Sequence, residues 1–140
     1  MAEVEVRLAY LEDVPFIFST WLKSYRYAST FARKISNDIY YKRHHLVIDL
    51  ILKRAGSTVL VAHPVGEPNV ILGYLVTERQ PDGEDVIHFT YIKKSFRQMG
   101  VARALWKGLD AEKNYLFTHY TADADWITKK YNLTYDPYRI

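Results

Sequence analysis

The run "VIHFTYIKKSFRQMGVARALW", residues 86 to 106, narrows the choice of fold more than any other stretch. It sets a β-branched and aromatic segment directly against an apolar helix, with Gly100 at the joint. A strand that leaves a sheet through a helix re-enters it parallel, by a right-handed crossover. Upstream, "STVLVAHP" (57–64) and "NVILGYLVTER" (69–79) read as two strands joined by the turn-rich "PVGEPN". "QPDGED" then turns the chain into the third strand of this series, 86–94. Short turns make antiparallel neighbours and the helix makes a parallel one, so the sheet has to be mixed.

The flanks complete the outline. "VEVRLAY" (4–10) alternates apolar and polar residues like a half-buried strand. "LEDVPFIFSTWLKSYRYAS" follows with Leu11, Val14, Phe18, Trp21, Tyr25 and Ala28 at helical spacing, and Pro15 near the start. After the polar "ARKISND", a second helix is predicted from about Asp38 to Ala55, on the stripe Ile39, Leu46, Leu50 and Ile51, stopped by Gly56. A helix from Gly100 to about Lys113, a strand over 115–121, a short helix over 123–131 and a last strand in 133–140 close the chain. The predicted class is α/β (α+β), a mixed central β-sheet flanked by about four helices.

Length and composition bound the rest. At 140 residues, 49% hydrophobic and 25% charged, residues 1–140 form one domain with its own core. There is no cysteine, hence no disulfide, thiol nucleophile or thiolate metal site. No apolar run approaches a bilayer span, and "MAEVEVRLAY" carries acids where a signal peptide carries bases, so no membrane partner and a cytoplasmic location are expected. A net charge of +3 favours anionic ligands without naming one, and no motif supports nucleic-acid binding.

The chemistry concentrates in "RQMGVA" (97–102). The start of a helix presents unpaired backbone N–H groups and the positive end of a dipole, which suits a phosphate. Gly100 lets the backbone approach an anion closely, and Ala102 keeps the next turn slim. Arg97, Lys93, Lys94 and Arg103 add positive field. A diphosphate on the amides of about residues 98–103 is the expectation, involving Arg97, Gln98, Met99, Gly100, Val101, Ala102 and Arg103.

In these features the chain resembles the GNAT superfamily of N-acetyltransferases, over nearly its whole length. "VRLAYLEDVPFI" looks like the family's opening strand and first helix. "YIKKSFRQMGVARAL" looks like its acetyl-CoA motif, with Ile92, Phe96, Arg97, Gly100, Val101 and Ala102 in the matching places and Gln98 where the family often has glycine. The resemblance implies acetyl-CoA (coenzyme A) as cofactor and a sheet splayed between strands 4 and 5. It also implies that the pantetheine arm pairs with backbone around Tyr91 and Ile92, and that an amine-bearing acceptor, small molecule or protein, receives the acetyl group. A homodimer is one assembly open to such a domain.

Direct acyl transfer to an amine needs a base, an oxyanion donor and an acid for the leaving thiolate. The backbone N–H of Ile92 or Tyr91 would be the oxyanion donor. Val86, His88 and Thr90 alternate onto one face of their strand, and His88 is the candidate base, directly or through water. Glu84 and Asp85 lie in a turn. Where many family members carry a catalytic tyrosine, this chain has Thr128, which leaves Tyr131 as candidate acid, with Tyr120 and Tyr135 as further choices. His44 and His45 are adjacent and so not on one helix face, His63 precedes Pro64, and His119 alternates with aromatics; no metal site is expected.

The family forms its acceptor groove from the first two helices, here "WLKSYRYASTFARKISNDIYYKRHH", whose Arg, Lys and Tyr would suit an acidic or aromatic-rich acceptor. The missing tyrosine keeps a second reading open: a GNAT-like protein without transferase activity, acting as an interaction or structural protein. Small phage-encoded proteins share that architecture.

Overall fold

The computed structural model describes residues 3–97 and 100–140, and only the backbone of Trp126. Among these residues six strands form one mixed sheet: β1 (Val4–Leu8), β2 (Ser57–Pro64), β3 (Gly73–Arg79), β4 (Asp85–Ile92), β5 (Tyr115–Phe117) and β6 (Leu133–Tyr135). They lie side by side in chain order. β1 to β4 are antiparallel neighbours, while β4–β5 and β5–β6 run parallel. That is the mixed sheet the turn and crossover lengths call for.

Five helices flank it: α1 (Val14–Ala28), α2 (Thr30–Arg33), α3 (Asn37–Lys53), α4 (Val101–Trp106) and α5 (Ala124–Lys130). α1 starts on Pro15 and on the Asp13 carboxylate, which accepts from the Tyr10 amide and from Arg7. The unforeseen α2 is a single turn capped by Ser29, whose hydroxyl accepts from the Ala32 amide. α1 and α3 cover one sheet face, where Ile17, Trp21, Tyr25, Ile48 and Ile51 pack on Val61, Tyr74, Val76 and Phe89. α4 and the start of α5 cover the other, with Val101, Leu105, Trp106 and Ala124 against Leu75, Ile87, Tyr115 and Phe117.

The sequence pattern misplaced several boundaries, among them the end of β1 (10 expected, Leu8 found) and the start of β3 (69 expected, Gly73 found), and one face. α3 turns Tyr40, Ile48 and Ile51 inward, whereas Ile39, Leu46 and Leu50 are exposed. Both stripes keep helical spacing; on the buried one Ile48 and Ile51 pack into the core and the Tyr40 hydroxyl reaches the Leu22 carbonyl in α1. Leu11 likewise stands outside α1, largely exposed. α4 stops at Trp106 rather than near Lys113, because Asp110 bonds locally: its carboxylate accepts from the Glu112 amide and its own amide donates to the Tyr115 hydroxyl. β5 ends at Phe117, not 121, as the side chains that follow turn into a polar network.

Gly56 joins α3 to β2 where the Arg79 amide donates to its carbonyl. A Cβ there would collide with the Arg79 carbonyl oxygen, a backbone atom that cannot swing away. Gly56→Ala should lower stability by about 2 kcal/mol, read as a smaller urea midpoint at unchanged slope; an unchanged midpoint would show that this turn yields freely.

Candidate functional site: a split sheet with a buried histidine network

β4 and β5 pair only over Val86–Leu116 and Ile87–Phe117, with the Thr118 amide still reaching the Ile87 carbonyl. β4 then runs five residues further while its pairing to β3 continues as far as Ile92 with Gly73. From His88 onward the strand therefore has an open edge, and His88 and Thr118 sit at the apex of the split.

Alternation settles which amides face the opening. The Lys93 amide donates to the Leu72 carbonyl across the β3 side, so Tyr91, two residues back, points the same way and Ile92 points into the gap. The Ile92 carbonyl accepts from Arg97 Nε at 3.4 Å, which folds the guanidinium back over this edge. Tyr91 keeps its ring on the α1 face, stacked on Tyr74.

Beyond the split, Gly100 takes φ +84°, the left-handed region that favours glycine, and caps α4 without a side chain. The first helical bond of α4 is donated by the Ala104 amide to the Gly100 carbonyl, which leaves the amides of Val101, Ala102 and Arg103 without a helical acceptor. A Cβ on Gly100 would meet nothing within 4 Å, so the backbone here borders open space. Val101 is anchored in the core while Arg97 and Arg103 are exposed. Gln98 and Met99 lie outside the described residues. A backbone edge leading to open amides flanked by arginines is a setting that fits an extended arm ending in a diphosphate.

The apex itself is polar and buried. β4 carries a bulge: Val76 faces Phe89 and Thr77 faces Ile87, so His88 is the extra residue. The bulge breaks the alternation expected of Val86, His88 and Thr90. Thr90 accepts from Trp106 Nε1 on the α4 side, whereas His88 bonds to Glu78 and Thr118. His88 is 1% exposed, its Nε2 2.7 Å from Glu78 Oε1 and its Nδ1 2.9 Å from Thr118 Oγ1. Both ring nitrogens are thus engaged inside the protein.

The network extends both ways. Glu78 also takes Arg54 Nη1 at 3.1 Å. Thr118 Oγ1 lies 2.8 Å from His119 Nδ1, and His119 Nε2 lies 2.9 Å from Nε2 of His44 on α3. Around His119 stand Trp21, Tyr25 and Phe89, with ring centroids 4.7 to 6.0 Å away. Burial lowers the pKa of all three histidines, that of His44 to about 4. Burial also works to raise the Glu78 carboxyl, but the hydrogen bonds from His88, Gln80 and Arg54 outweigh it and hold the group below its usual range. At neutral pH the network is an ionised carboxylate followed by neutral imidazoles.

The tyrosines are placed elsewhere. Tyr131 ends α5 and lies against Trp106, on the face away from His88, so the two candidate catalytic residues are not side by side. The Thr128 hydroxyl donates back to the Ala124 carbonyl within its helix. Tyr120 donates to Asp125, and Tyr135 packs on Phe117 and Tyr120 at the β5–β6 end. Glu84 stays in its turn, while Asp85 heads β4, paired with Arg79 and Lys113.

No protein-family model matches the chain, and no curated protein matches it in sequence. Solved structures do match. A Pyrococcus furiosus protein designated an acetyl transferase shares 18% identity, with 91% of each chain covered and a TM-score of 0.64. A Corynebacterium glutamicum protein described as histone acetyltransferase HPA2 and related acetyltransferase shares 20% identity over 76% of this chain and 69% of its own, at 0.59. A GCN5-related N-acetyltransferase from Ralstonia eutropha shares 14% over 96% and 83%, at 0.58. At these identities the likeness establishes the fold, which is the GNAT fold.

Proposed function

We propose that the chain is a single-domain N-acetyltransferase that takes its acetyl group from acetyl-CoA and passes it to an amine by direct attack. The observation that carries this reading is the sheet split at His88 and Thr118, with the Ile92 amide facing the opening and the Gly100-led helix beyond it. Acetyl-CoA, when bound, supplies the acetyl group as an activated thioester. The edge of β4 would align its arm, and the amides of Val101, Ala102 and Arg103 with the Arg97 and Arg103 side chains would hold its diphosphate. The Ile92 amide is the donor available for the oxyanion. Among the described residues no helix is long and apolar enough to cross a membrane.

A second reading, a GNAT-fold interaction or structural protein without transfer, is favoured by Thr128 and by the position of Tyr131 against Trp106. Thermal melting separates the first questions. Acetyl-CoA at a hundred times its Kd should stabilise the fold by about 2.7 kcal/mol, and Gly100→Glu should abolish that shift. The variant will melt lower on its own because glutamate is strained at φ +84°, so the ligand-induced difference is the quantity to compare. A shift without thiol release from any amine favours the second reading. No shift in the parent removes the transferase assignment.

A further inference from the structure

The hydrogen bonds at the apex admit one self-consistent set of protons. Ionised Glu78 only accepts, so His88 donates from Nε2 and accepts at Nδ1. Thr118 must then give its single hydroxyl proton to His88, which leaves its oxygen to accept from His119 Nδ1–H. His119 Nε2 is therefore an acceptor, and His44 donates to it from Nε2. Four hydrogen bonds of 2.7 to 2.9 Å point the same way, from α3 to β3, through the apex of the split. At its far end Glu78 forms a wall of an open-sided cavity of about 650 Å³, lined also by Arg54, Gly56, Gln80, Tyr138 and Arg139.

We propose that His44, His119, Thr118, His88 and Glu78 form a proton relay that drains the acceptor's ammonium proton from the α3 side of the split to the cavity beyond Glu78. This rests on the transferase reading. The ammonium gives a proton to His44 Nδ1, and the His44 Nε2 proton moves to His119 Nε2. The His119 Nδ1 proton passes to Thr118 Oγ1, the Thr118 proton to His88 Nδ1, and the His88 Nε2 proton to Glu78 Oε1. One N–H bond of the acceptor breaks and one O–H bond forms on Glu78; the amine keeps its electron pair for attack.

Several features of the surroundings serve such a path. Arg54 and Gln80 keep Glu78 ionised, so the proton passes on to water in the cavity instead of lodging there. The groups packed on the histidines are Trp21 and Tyr25 from α1, Tyr40 from α3 and Phe89 from β4, none of which is charged at neutral pH. Aromatic rings accommodate a transient imidazolium better than aliphatic ones do. In the resting state every donor points toward Glu78, so the relay is set to remove a proton; after one transfer every donor points back toward His44, and the rings and the Thr118 hydroxyl reorient before the next.

Two measurements on the full chain test it. In a ¹⁵N-histidine NMR spectrum between pH 6 and 8, His119 should be the Nδ1–H tautomer and His44 and His88 the Nε2–H tautomer. His119 protonated on Nε2 breaks the series of donors and overturns the relay whatever the kinetics show. The second measurement compares Thr118→Val with Thr118→Ser, using acetyl-CoA and two probe amines: ethylamine, protonated at the assay pH, and hydroxylamine, mostly neutral there. Thr118→Val should slow ethylamine by about a hundredfold and leave hydroxylamine nearly unchanged, and Thr118→Ser should recover the parent's ratio. Equal slowing of both amines, or none, overturns the relay. A parent that turns over neither amine defeats the transferase reading instead, and the tautomers still decide whether the relay exists.

Discussion

Glu78→Ala is expected to lower stability by about 3 kcal/mol at pH 7.5, toward the lower end for breaking a buried charged pair. Glu78 is 4% exposed and accepts from Arg54, Gln80 and His88. Alanine takes away the acceptor of the His88 Nε2–H, a penalty of about 1 to 3 kcal/mol alone. Arg54, 28% exposed at its side chain, can turn to solvent, which keeps the total from reaching the upper end. Glu78→Gln keeps the Oε1 acceptor and gives up the charge, so it should lose only about 1 kcal/mol. Urea unfolding of both variants reads the split. Equal losses would mean that the charge, and not the acceptor, is what His88 requires.

Much of the fold was legible because it depends on short-range chemistry. Turn residues at 64–69 and 80–85 and the Gly100 joint determine which strands are antiparallel and where the parallel crossover begins, and the sheet follows that order. Faces were harder where two stripes compete. On α3, Ile39, Leu46 and Leu50 offer as good a helical pattern as Tyr40, Ile48 and Ile51. Tyrosine reads as ambivalent in sequence, and its stripe is recognised only from contacts on other elements, such as that of Tyr40 with the Leu22 carbonyl.

The site was half legible for the same reason. The strand, the glycine and the helix start are contiguous, so their shared location could be inferred from a single segment. The network is assembled from α3, β3, β4 and the chain after β5, with His44 and His119 separated by 75 residues. No local pattern announces that pairing. His88 drew attention as a lone titratable residue in an apolar strand, but its direction depends on a bulge that adds one residue and shifts the alternation. A signal existed in principle for part of it: His88 and Thr118 follow apolar strand residues, and buried polar groups require partners, whereas Glu78 sits in the polar run Thr77-Glu78-Arg79-Gln80 and gives no such sign.

The same burial predicts acid lability in a particular pH window. His44, His88 and His119 have folded pKa values below the ordinary 6.5, each chiefly through burial. An unfolded chain then takes up these protons before the folded one does, so stability is complete above about pH 6.5 and is lost as pH falls toward the folded values. For His44, a drop from 6.5 to about 4 corresponds to about 3 kcal/mol once pH reaches 4. The other two shift in the same direction and add to it. Glu78 and Asp13 have lowered carboxyl values, so their contributions are present above their unfolded pKa and disappear only at pH below about 4.5. The interval from pH 6.5 to 4.5 therefore belongs to the histidines. Against a typical domain stability of about 5 to 15 kcal/mol, a loss of this size is a large share of the total by pH 4. Urea midpoints measured at half-unit steps should fall across that interval, and His44→Phe, which removes one of these protons, should reduce the slope by about 1.4 kcal/mol per pH unit. A midpoint constant from pH 7 to 5 would mean that these rings reach water readily, and the buried network would not exist in solution.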